Sequence, residues 1–215
     1  HRVDRRQRQM CIRDSRDVVL DPTGVADAIK TYLVANTSHD GSLAISGMIT
    51  PTRVVCANTQ AIALGNCTQR FTIRHTESAL SRLADARDGM LRLHGWMDAF
   101  EVEAKNLFET SITKAQFDEI ISRAFPMPEK DAKGAMKKWE TKQDLLQELY
   151  TGPTNVMIAG TAWGAYQTLT EFTDYYSNPR KGNTENIAIK AMGLDDAHNA
   201  KKNNLLSVVK SVAFA

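Results

Sequence analysis

The chain has 215 residues, enough for one ordinary hydrophobic core. At 42% hydrophobic and 24% charged it has the composition of a globular protein, and no apolar run approaches bilayer length. A formal net charge of +2 defines no nucleic-acid or membrane surface, so any electrostatic footprint has to come from local clusters.

The sequence opens on His1. Residues Arg5-Arg6-Gln7-Arg8-Gln9-Met10-Cys11-Ile12-Arg13-Asp14 read, codon for codon, as the conceptual translation of a transposase sequencing adapter. Residues 1–15 are therefore expected to be an artefactual segment, and 16–215 a single α+β domain truncated at its N-terminus. Without that segment, which carries five arginines and two aspartates, 22 basic and 23 acidic residues remain, and the apparent basicity disappears.

Lys30–Asn36 alternates as a strand, and Leu43–Ile49 alternates again. Between them lies Ser38-His39-Asp40-Gly41-Ser42. An Asp-Gly pair flanked by alternating apolar residues predicts a hairpin turn, because glycine accepts the positive φ such turns need. His39 and Asp40 then sit at a functional turn or only at a turn. Thr50-Pro51 reads as the cap and first position of a helix running to Leu64 and closed by Gly65-Asn66. Its two apolar stripes predict a buried helix in which Asn58 ties neighbouring elements together. Gln69–Thr76 alternates as a further strand, with Arg70, Thr72 and Arg74 on one face, and His75 on the other as a structural histidine.

From Glu77 the period becomes helical. Leu80, Leu83, Ala84, Arg87, Leu91, Trp96 and Phe100 mark one long helix, and Phe117, Ile120, Ile121 and Ala124 a second. Pro126 and Pro128 break the chain before a charged helix that ends near Tyr150, and Gly152-Pro153 breaks it again. Trp163, Tyr166, Leu169, Thr170 and Thr173 fall along one face of a further helix, and Leu205, Leu206, Val208, Val209 and Val212 mark a last one. The expected class is α+β: a small antiparallel sheet or hairpin element over 16–76, then several α-helices over 77–215.

Four blocks carry a resemblance: S-H-D-G-S at Ser38, T-P-T-R-V-V-C-A-N-T at Thr50, I-R-H-T at Ile73 and G-T-A-W-G-A at Gly160. In this order the chain resembles, from about Asp17 to Val212, the phage/plasmid-like protein family. That family is a domain of unknown function found on phages, plasmids and other mobile elements. The resemblance implies a mobile-element protein in the cytoplasm of a bacterial host and supplies no mechanism. At fold level only, hairpins followed by a buried helix are similar to single-strand annealing proteins of the Rad-fifty-two-like type.

No phosphate-binding glycine loop, nucleophile elbow or paired-histidine zinc motif occurs. Cys56, Cys67, His39 and His75 have no metal-site spacing, so no metal and no cofactor is expected. Arg53, Arg70 and Arg74 are the candidate nucleic-acid contacts, since a strand face bearing cations can follow a phosphate backbone. Lys201-Lys202 with Lys210 adds a modest basic face, while Trp96, Trp139, Trp163 and Tyr175-Tyr176 read as core or interface aromatics. The leading expectation is a non-enzymatic factor in mobile-element replication or recombination, with single-stranded DNA as partner. Two alternatives stay open. One is a helical module that binds a partner or forms a homo-oligomer, and the other an enzyme that uses His39 and Asp40.

Overall fold

In a computed structural model of the chain, residues 8–20, 27–38, 44–53, 70–74, 83–128, 133–177 and 196–215 are described. Strands β1 (Arg8–Leu20), β2 (Asp27–Ser38), β3 (Ile45–Arg53) and β4 (Arg70–Ile73) pair antiparallel in chain order as one sheet. Among the described residues five α-helices follow, and those residues are mostly helical. β2 contains the expected strand at Lys30–Asn36. β1 runs through residue 15, the boundary drawn from the adapter reading, and the ladder shifts register between Asp14 and Arg16.

The expected helix at Thr50-Pro51 is corrected. Both residues lie in β3, opposite Tyr32 and Thr31 of β2. β4 pairs β3 only over Ile45–Met48, so the Pro51 end of β3 has a free side among the described residues. Proline's missing N–H is tolerated at such a sheet edge. The segment with Cys56, Asn58 and Cys67, the turn residues His39 and Asp40, and His75 lie outside the described residues.

Helix α1 (Leu83–Glu109) buries Trp96, Met97, Phe100, Ala104, Leu107 and Phe108, a stripe at helical spacing. It lies against β1, β3 and β4 on one side and the bundle on the other. Helix α2 (Lys114–Ala124) starts with a reciprocal cap. The Gln116 N–H donates to Thr113 Oγ1 and the Thr113 N–H to Gln116 Oε1. Its Phe117 stacks on Tyr150 of α3 (Lys133–Thr151), with centroids 3.8 Å apart.

Helix α4 (Ala162–Glu171) is the centre of the bundle, in contact with α1, α3 and α5 (Asp196–Ala213). Trp163, Tyr166, Leu169, Thr170 and Thr173, expected along one face, are all buried, and so is every other residue of α4. Its polar side chains are partnered. Thr168 donates to the Gly164 carbonyl and Thr170 to that of Gln167, while Glu171 accepts from Thr154 and Asn155.

The G-T-A-W-G-A block explains how α4 starts. Gly160 takes φ 84°, a conformation that side chains disfavour. Thr161 caps the helix by accepting from the Gly164 N–H. Backbone bonds from Ile112 N–H to Gly160 O and from Ala162 N–H to Thr110 O tie this start to the α1–α2 connection. The Trp163 indole N–H donates to buried Asp27 at 2.8 Å, joining α4 to the head of β2. Trp96 and Trp163 are therefore core residues, as expected.

Tyr150 offers a test of this packing. Burial pushes its hydroxyl above the ordinary value of 10.0, an effect the Gly160 N–H donating to it lowers in part. The unfolded chain therefore ionises first on raising pH. The contribution is intact below about pH 10 and is lost as pH climbs through the folded value. Tyr150→Phe is expected to cost about 1 kcal/mol at neutral pH and to shallow the alkaline decline. Urea unfolding of both proteins at neutral and alkaline pH measures the two effects.

Candidate nucleic-acid interface

Along α3, Lys137, Lys138, Thr141, Lys142 and Leu145 fall on one flank, at spacings of one, four, five and eight residues. Opposite them the chain leaves α2 through Phe125, whose carbonyl accepts the Trp139 indole N–H at 2.8 Å. This bond holds the end of α2 against α3. The Phe125 ring meets Phe172 edge to face, with centroids 5.4 Å apart, and the Lys142 ammonium lies 4.9 Å from its centroid.

The third wall comes from the C-terminal continuation of α4. Residues Phe172–Tyr176 form a π-helical turn, closed by the Ser177 N–H donating to Phe172 O. The carbonyl of Thr173, left over by the wider turn, accepts the Ser177 hydroxyl at 2.7 Å. In an unbroken α-helix Tyr176 would continue the buried stripe of Phe172, four residues earlier. The extra residue in the turn places it at the surface, 47% exposed. Tyr175 is exposed as well, so of the core and interface roles expected for this pair the core one is corrected.

These elements enclose an open groove of about 1030 Å³. Phe125, Phe172 and Leu145 form apolar lining, Tyr176 adds a ring, and Lys137, Lys138, Lys142 and Lys201 supply cations. No acidic side chain lines it among the described residues. The combination suits an anion that also carries flat apolar surface, as stacked or splayed bases do.

Below the π turn lies a buried charged cluster. Lys202 is fully buried, its Nζ 2.8 Å from both carboxylate oxygens of Asp174, and His198 Nε2 lies 2.5 Å from Asp174 Oδ1. The expected basic face of Lys201, Lys202 and Lys210 is therefore corrected. Lys202 is internal, and Lys210 pairs with Glu103 at 2.5 Å. Among the described residues no group of three histidine, cysteine or acidic side chains could hold a metal ion.

The sheet spreads the three expected arginines apart. Arg53 ends β3 opposite Ile29, and Arg70 heads β4 opposite Met48. Arg74 follows β4 directly and is exposed with Thr72, while Ile73 between them is buried. Counted in strand rises along the ladder, Arg53 lies about 16 Å beyond the Arg70 level and Arg74 about 13 Å to the other side. The lysines of α3 were missed because only their charge, and not the aromatic wall facing them, is written locally.

Fold and groove together define an α+β protein with a cationic, aromatic-walled cleft. The chain matches the model of the family described as Domain of unknown function (DUF932) over residues 5–192, and it belongs to that family. No curated protein matches it, and no solved structure does. No helix of the described residues is long and apolar enough to cross a membrane.

Proposed function

We propose that this chain is a non-enzymatic nucleic-acid-binding protein of a mobile genetic element, and that it takes single-stranded DNA along the groove on α3. The observation that carries the reading is three lysines on one flank of α3, facing aromatic rings with no carboxylate among the described lining. Lysines neutralise phosphates as point charges, and release of condensed counterions drives such binding at low salt. Thr72 and Arg74, exposed at the end of β4, offer a separate cationic contact, which the mobile-element resemblance favours.

Fluorescence anisotropy with a labelled single-stranded oligonucleotide tests this. The variant carrying Lys137→Ala, Lys138→Ala and Lys142→Ala is expected to bind at least about tenfold more weakly. Its salt dependence should also fall, by about 2 in the slope of log affinity against log salt. No binding by the unaltered protein at low salt, or equal binding by the triple variant, defeats the proposal for the groove. Replacing Arg53, Arg70 and Arg74 separately measures the contribution of the sheet.

A further inference from the structure

The lysines give the groove its preference for anions, but charge alone does not separate single strands from duplex. A duplex hides its base faces, whereas a single strand can lay them on a protein ring. The ring has to be exposed, held in place and beside the cations. Tyr176 meets all three conditions. It lines the groove with Lys137, Lys138 and Lys142, and it is 47% exposed. Its backbone is fixed by the Ser177-to-Phe172 bond of the π turn. Two residues earlier, Asp174 anchors the same turn to α5 through Lys202 and His198.

We infer that Tyr176 is the base-stacking residue of the groove, the side chain that makes it select single-stranded over double-stranded nucleic acid. The inference rests on the groove reading above. The π turn has a direct part in it. By inserting one residue after Phe172 it frees the ring from the core stripe and presents it beside the lysine flank. Phe172 and Phe125 stay behind as the packed wall, edge to face, too buried for a base to lie flat on Phe172. Asp174, His198 and Lys202 act as positioning residues, since they touch the turn and not the ligand.

The test measures the affinity of the full chain for three probes: single-stranded oligothymidylate, a duplex of the same length, and inorganic tripolyphosphate as a polyanion without rings. Tyr176→Ala is expected to lose about tenfold on the single strand, the magnitude of one lost base stack, with the other two probes unchanged. Tyr176→Phe keeps the aromatic face and is expected to bind the single strand like the unaltered chain. Unchanged melting temperatures exclude a folding effect, which the half-exposed position favours. The inference is overturned if Tyr176→Ala binds the single strand normally, or if it weakens tripolyphosphate equally. It is also overturned if the unaltered chain prefers an acidic peptide such as polyglutamate. Failure of the groove itself looks different, because then the lysine variant matches the unaltered chain on every probe while the tyrosine variants differ from nothing.

Discussion

Gly164→Ala is expected to destabilise the protein by about 3 kcal/mol or more, the upper end of what overpacking a core costs. A Cβ at this position would lie 2.2 Å from the carbonyl oxygen of Ile158 and 2.8 Å from its carbonyl carbon. Both are backbone atoms, so no flexible side chain can swing aside. The turn carrying Ile158 is itself tied down, with the Thr161 hydroxyl donating to the same carbonyl at 2.7 Å and Ile158 buried. To admit the methyl, α4 would have to move off that turn, and every residue of α4 is packed. Relief would therefore be shared among α1, α3 and α5. In a thermal melt the loss corresponds to about 6–12 °C for a chain of this size. Gly95→Ala is the control. Gly95 is exposed within α1 and a Cβ there meets nothing within 4 Å. That change is expected to raise stability by about 0.5–1 kcal/mol, through helix propensity alone. Equal melting temperatures for the two variants would show that α4 does not sit against the Ile158 carbonyl.

Lys202→Met should cost about 3–5 kcal/mol, for a different reason. Methionine keeps the volume of the lysine stem, so little cavity forms. The loss is electrostatic: Asp174 keeps only His198 among the partners described here, with its side chain 8% exposed. A carboxylate left in such surroundings carries a desolvation penalty that the ammonium had offset. The prediction has an internal check. Asp174→Asn combined with Lys202→Met removes both charges and is expected to recover much of the single-variant loss. Chemical denaturation of the unaltered chain, the two single variants and the double variant closes that cycle. A Lys202→Met protein within about 1 kcal/mol of the original, or a double variant worse than the sum of the singles, would mean that the pair does not bind α5 to the π turn.

Some of this architecture could be read from the sequence because its causes are local. Thr113 and Gln116 form a capping box visible as residue types three apart, and Phe117, Ile120 and Ile121 repeat at helical spacing, so the start and buried face of α2 were legible. Strand β2 was legible from its alternation, although not its full length. Thr50-Pro51 misled because the pair signals a helix start as strongly as it suits a sheet edge. Only the partner strands decide between the two. The burial of α4 was hidden by Gln167 and Thr168, which look like a solvent face until the bond from Thr168 to the Gly164 carbonyl is counted. Lys202 misled more sharply, since the carboxylate that accounts for its burial is 28 residues away in the chain. The groove was half legible: α3 carries its lysines in plain view, but the rings opposite come from α2 and the π turn.

The bond from the Trp163 indole to Asp27 spans 136 residues and joins the first strands to the innermost helix. Cutting the chain between sheet and bundle would strand an indole donor in an oily interior, with its acceptor on the discarded piece. Any attempt to dissect the protein into a soluble helical fragment therefore starts from a wounded core, and a useful truncation has to keep the strand that carries Asp27.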